Sequence, residues 1–131
     1  MNIISALARE SPQTKLFLDG VQAIGKIKLD PEIWKGLAGY SISGHKIHGP
    51  KGIGLLVYNS NLVLNPQMHG GKQQLGVRSG TLALPLIVGL ERAIKQAVEQ
   101  TENTQKLFQI LCDYLVQGLK AMQERINDLK I

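Results

Sequence analysis

The chain has 131 residues, 44% hydrophobic and only 5% aromatic, with a formal net charge of +5 from 15 Lys and Arg against 10 Asp and Glu. This length suffices for one domain with a real core. The scarce aromatics and scattered basic residues argue against a stacking platform for nucleic acid and read as a solvated basic surface, and a single cysteine, Cys112, excludes an internal disulfide.

The N-terminal residues carry an acid and no long apolar core, so a signal peptide is not expected. No apolar run approaches the length of a membrane span. One cysteine also suits a reducing compartment, which makes the cytoplasm the expected location, with neither membrane nor nucleic acid as partner.

Asn2 to Glu10 has apolar residues at helical spacing and predicts a short amphipathic helix, ended by Ser11-Pro12-Gln13. Lys15-Leu16-Phe17-Leu18 then reads as a buried strand, closed by Asp19-Gly20. A helix followed by a short apolar strand is half of an α/β unit, and such a strand needs neighbours on both sides. Gly20 to Asp30 reads as loop or turn, because Gly25 and the β-branched residues weaken helix formation. Pro31 to Lys35 predicts a helical turn, with Asp30 as N-cap and Pro31 at the first position.

Two further strands are expected, Ala38–Ile42 and Ile53–Tyr58, joined by the polar, glycine-rich turn around Ser43, His45, Lys46 and His48. Leu62-Val63-Leu64 is a third candidate strand, ended by Asn65-Pro66. Residues 68–81 (MHGGKQQLGVRSGT) form an unusually long polar loop of the kind that carries function, and Ser79 or Thr81 is placed to cap the next helix. From Pro85 the pattern is helical. A second helix, about Asn103 to Arg125, carries Leu107, Ile110, Leu111, Leu115, Leu119 and Met122 on one stripe. Cys112 lies among these apolar residues and is expected to be inert core packing.

The candidate chemistry gathers on two stretches. In open α/β sheets ligand groups collect at the carboxyl ends of strands, and Asp19 sits at such an end. Lys46 lies between strands, not on a polar helix face. An amine held in a partly desolvated pocket attacks aldehydes. A buried aspartate is able to hold a pyridinium nitrogen protonated, so Lys46 and Asp19 form the pair that pyridoxal phosphate requires. Ser43 and His45 supply a hydroxyl and an imidazole suited to a phosphate. Other motifs fail: GPKGIG and HGGKQQ lack the Walker offset, GxGxxG is absent, and His45, His48 and His69 lack the cysteines or helical support of a zinc site.

Asp19-Gly20-Val21-Gln22-Ala23, then Ser43 through Gly54 (SGHKIHGPKGIG), then Arg78-Ser79-Gly80-Thr81, resemble the cysteine desulfurases of the class V aminotransferase group. The resemblance implies an α/β fold, part of the large domain of fold-type I (aspartate-aminotransferase-like) enzymes, with a mixed sheet and flanking helices. It divides the chain into residues 1–99, the C-terminal half of a domain binding pyridoxal 5'-phosphate, and 100–131, a helix leading toward a small domain.

It also implies roles. Lys46 resembles the lysine that condenses with the cofactor aldehyde and later shuttles protons. Asp19 resembles the partner of the pyridine nitrogen, and Gln22 the donor to the phenolate oxygen. Ser43 and His45 resemble phosphate ligands. Thr81 resembles the residue that reaches the phosphate of the other subunit's cofactor, which implies a homodimer or a complementing subunit. The family converts L-cysteine to L-alanine and passes sulfur to an enzyme cysteine, then to acceptor or scaffold proteins of iron–sulfur cluster assembly. A selenocysteine lyase, another class V enzyme, or a non-catalytic chain binding a longer subunit are the alternatives.

The family's nucleophilic cysteine and substrate-carboxylate arginine have no counterpart in the sequence, and its glycine- and acid-rich loop is altered to Gly70-Gly71-Lys72-Gln73-Gln74. A truncated chain with little activity alone is therefore expected.

Overall fold

A computed structural model describes residues 6, 7, 10, 11, 13–123 and 126. Its centre is a three-stranded sheet in the order β1 (Phe17–Asp19), β2 (Gly39–Ser43), β3 (Gly54–Tyr58). β1 runs parallel to β2, with Phe17 opposite Gly39 and Asp19 opposite Ser41. β3 returns antiparallel, with Tyr40 opposite Val57 and Ser43 opposite Gly54. Three α-helices are bounded within the described residues: α1 (Pro31–Gly36), α2 (Leu84–Glu99) and α3 (Thr101–Gln123).

The alternation of β2 sets the two faces. Successive strand side chains point to opposite sides, so Tyr40 and Ile42 face one way and Ser41 and Ser43 the other. Tyr40 and Ile42 enter the core, which also holds Ile33, Leu37, Ile47 and Ala93, with Leu16, Leu18, Ile24 and Ala97 packed around it. Tyr40 is fully buried, and its ring packs tilted on Trp34 with centroids 5.0 Å apart. α1 begins where Pro31 presets the first helical position, and the Ile33 N–H donates to the Asp30 carbonyl at 2.9 Å.

α2 lays a narrow edge against this core. Ala93 lies against Gly49 and Ala97 against Gly25. One turn before Ala93, Gly89 meets Pro50 so closely that a Cβ there would sit 2.6 Å from the proline Cγ. Small residues four apart therefore let the helix backbone ride directly on the turn that carries Lys46.

The expected strand–turn–strand unit, the turns of 20–30, the α1 turn and both long helices are all present, and Ala6, Leu7 and Glu10 are helical within the predicted first helix, whose other residues lie outside those described. Arg125, the expected end of the last helix, also lies outside them. Four expectations are corrected. Leu62-Val63-Leu64 forms no strand: Val63 is 87% exposed, the run has no ladder partner among the described residues, and the Leu62 N–H donates instead to the Asn59 carbonyl of the preceding turn at 2.9 Å. Ser79 and Thr81 cap nothing, since α2 starts after Ala83, with the proline in its first turn. The strand read as Lys15–Leu18 pairs over Phe17–Asp19 and, within the described residues, has a neighbour on β2 alone. Finally, α3 buries no residue: its apolar stripe is exposed apart from the half-buried Leu119, and Cys112 is exposed instead of packed.

Candidate functional site

The carboxyl ends of β1 and β2 lie side by side because the strands are parallel and in register. Asp19 ends β1, and its Oδ1 accepts hydrogen bonds from Ser41 Oγ at 2.8 Å and from the Val21 N–H at 3.1 Å. Those donors, Ser41 foremost, hold the carboxyl below the usual aspartate range. The expected burial of Asp19 is not found: the side chain is exposed, and the two hydrogen bonds extend its ionised form to lower pH than exposure alone would give. Two residues beyond Ser41 on the same face, Ser43 Oγ lies 3.0 Å from His45 Nδ1.

Lys46 sits in a single 3-10 turn, Gly44–Ile47, that continues from β2 without a break. The turn is shaped by close approach. The Gly44 N–H donates to the Ile53 carbonyl at 3.0 Å, and the Gly49 N–H returns to the Gly44 carbonyl at 2.9 Å. A Cβ on Gly44 would lie 2.9 Å from the Pro50 carbonyl oxygen and 3.1 Å from that of Ile53. His48 closes the turn in the left-handed region, φ 62°. Ile47 anchors it in the core while His45, Lys46 and His48 remain exposed. The partial desolvation expected of Lys46 is thus not supplied by the described residues. The lysine borders an open cleft shared with Lys26, Gln96, Gln100, Thr104 and Phe108.

The sequence-predicted residues fall into three groups. Asp19, Ser43 and His45, with Lys46 next in the chain, gather at one end of the sheet. Gln22 lies in the turn just after Asp19, where its Oε1 accepts from Lys26 Nζ. Thr81 stands apart on the 68–83 loop, which is tied internally by Ser79 Oγ to the His69 carbonyl at 3.1 Å and by the Gly80 N–H to Gln73 Oε1 at 3.2 Å. Among the described residues, no hydrogen bond or ion pair joins Lys46 to Asp19. Sequence reasoning passed over Ser41. Its signal was the serine alternation of Tyr40-Ser41-Ile42-Ser43, which puts two hydroxyls on the polar face of a half-buried strand.

The family model described as aminotransferase class-V matches residues 1–129. The chain belongs to the class-V aminotransferases. These are pyridoxal-phosphate-dependent enzymes in general. Among curated class-V relatives, the mitochondrial cysteine desulfurase of Arthroderma benhamiae is 40% identical over 94% of this chain and 24% of its own length. Cysteine desulfurase IscS of Shewanella amazonensis is 42% identical over 82% of this chain and 27% of its own. Among solved structures, a NifS-like protein superposes with a TM-score of 0.79 at 39% identity, covering 88% of this chain and 31% of that one. The NifS-like protein of Rickettsia africae gives 0.72 at 30% identity over 93% and 33%. The α/β fold with a mixed sheet is therefore that of NifS-like class-V enzymes, as the sequence implied. The chain spans about a quarter of the length of these curated relatives.

Proposed function

We propose that this chain carries the floor of a pyridoxal-phosphate site in a cysteine desulfurase. The observation that supports this reading is the shared carboxyl end of β1 and β2, where Asp19, Ser43, His45 and Lys46 emerge together from a fixed sheet and turn. The donor set fits the group. A carboxylate fixed by Ser41 and Val21, its pKa lowered by both donors, suits a protonated ring nitrogen. The Ser43–His45 pair offers hydroxyl and imidazole to a phosphate. Lys46 offers an exposed primary amine to an aldehyde.

When bound, pyridoxal phosphate supplies an electron sink for bonds at the substrate α-carbon. The chain's own residues would hold that group and move protons beside it. Asp19 stays ionised and so keeps the ring nitrogen's proton in place. Gln22 has its amide oxygen occupied by Lys26, which leaves its NH2 group to donate to the ring's phenolate oxygen. Lys46 would bind the cofactor's aldehyde through Nζ and would serve as the proton carrier beside the substrate. Thr81, on its separate loop, reaches the phosphate of a second copy, which makes the working unit a dimer.

The names of the relatives favour L-cysteine as substrate, and a further solved relative, SspA, 39% identical over 70% of this chain, is described in complex with cysteine. The product is L-alanine. The sulfur leaves on a thiol as a persulfide bound for iron–sulfur cluster assembly, in the cytoplasm. Residues 1–99 form the cofactor-binding part and 100–131 the helical lead to a smaller domain.

The test is capture of the cofactor. The purified chain is incubated with pyridoxal phosphate, reduced with borohydride, and the modified lysine mapped by peptide mass, with Lys46→Ala as control. Selective labelling of Lys46 is expected. Labelling spread over many lysines and unchanged in the control would overturn the reading.

A further inference from the structure

Asp19 is held in an asymmetric way. Both of its hydrogen bonds, from Ser41 Oγ and from the Val21 N–H, fall on Oδ1, and Oδ2 has no partner among the described residues. The donors come from different directions: Val21 lies two residues on in the same segment, while Ser41 belongs to the neighbouring strand, 22 residues away. One local donor leaves a carboxylate free to swing with its own turn. A second donor across the ladder fixes both the plane of the group and its position relative to β2. The parallel register makes this automatic, since Asp19 and Ser41 are paired at the ladder and their side chains share a face.

We infer that Ser41 is a positioning residue of the candidate site: its hydroxyl pins Oδ1 of Asp19 so that Oδ2 is presented, ionised and oriented, to the protonated nitrogen of a pyridine-type ring. This rests on the proposed cofactor role of the site. It separates the two strand serines by task. Ser43 turns to His45 and the end of the sheet, whereas Ser41 works through Asp19 and touches no ligand. Tyr40, whose phenol feels the Asp19 charge, stays neutral through the acid range as any tyrosine does, and burial and that charge push its ionisation further upward. A carboxyl titration therefore reports Asp19 without interference from Tyr40.

The experiment is read first without cofactor. The carboxyl carbon of Asp19 is tracked by NMR as a function of pH in the full chain and in Ser41→Ala, Ser41→Thr and Ser41→Val, with circular dichroism as the check on folding. Thr and Val have the same shape and suit a strand equally, so the hydroxyl is the difference between them even if Ala disturbs the sheet. The midpoint is expected to rise in Ala and Val and to keep its native value in Thr. The same midpoint in Val and Thr would overturn the proposal. Pyridoxal phosphate binding is then measured on the same proteins, where losing one hydrogen bond to a charged group is expected to weaken binding by about tenfold in Ala and Val, with Thr restored. Binding unaffected by Asp19→Asn would defeat the cofactor reading itself, an outcome distinct from any shift in the carboxyl titration.

Discussion

An exposed aspartate usually titrates as it does in a short peptide. Asp19 does not, because two donors stabilise its charged form. Its pKa is lower folded than unfolded, so the associated stability is fully present above the ordinary aspartate value of about 4 and is lost as pH falls through the depressed folded value. Asp19→Asn is accordingly expected to flatten the acid limb of a plot of melting temperature against pH. An acid limb identical in the variant would mean that the two hydrogen bonds contribute nothing in solution. Asp19, Ser43, His45 and Lys46 drew notice as candidates because each stands near a break between an apolar run and a polar turn, and the structure gathers them at one end of the sheet, whereas Gln22 entered through the family resemblance. Ser41 carried only the serine alternation of its strand, which marks a polar face and not a partner. Its importance comes from a neighbour across the ladder, and parallel register is invisible until both strands are placed.

At the scale of elements, the turn between β2 and β3 is closely constrained. Its shape is set by Gly44 under two carbonyl oxygens, by His48 in the left-handed region, and by α2 riding on Gly49 and Pro50 through Ala93 and Gly89. Gly44→Ala is expected to cost about 1–3 kcal/mol, the range for forcing extra carbon into a packed site. Because the displaced atoms carry Lys46, selective borohydride labelling should fall together with the melting temperature. A variant with native stability and native labelling would show that the turn relaxes freely. The same physics explains which elements the sequence disclosed. Glycines and prolines around apolar runs mark strand ends by local rules, so β2, β3 and α1 were readable. The failed strand at Leu62–Leu64 had the right composition and no partner, and partnering is not a local property. The amphipathic pattern of α3 marks a helix, but pattern does not say what lies opposite the apolar stripe.

Over the whole molecule, that stripe is the conspicuous feature. Leu107, Ile110, Leu111, Tyr114 and Leu115 are all more than half exposed, and β3 shows Leu55, Leu56 and Val57 to solvent. β1 and β3 are both edges of the described sheet, and such edges and patches pair promiscuously. The isolated chain is expected to self-associate with rising concentration in sedimentation velocity. Leu111→Glu combined with Leu115→Lys should reduce the association without loss of helicity. A clean monomer at all concentrations, with a sharp two-state melt, would count against this. No helix among the described residues is long and apolar enough to cross a membrane.

The pairing of Asp19 with Ser41 has a kinetic side. Parallel strands meet only after the intervening crossover has been closed, and contacts so distant in sequence form late and break with the sheet. The anchored carboxylate is consequently a property of the closed sheet and of no partly folded form. A ligand that requires it draws on the native population alone, so its binding and the folding of the sheet are one coupled equilibrium. Each increment of bound ligand then pulls further chains out of the open ensemble and into the paired one.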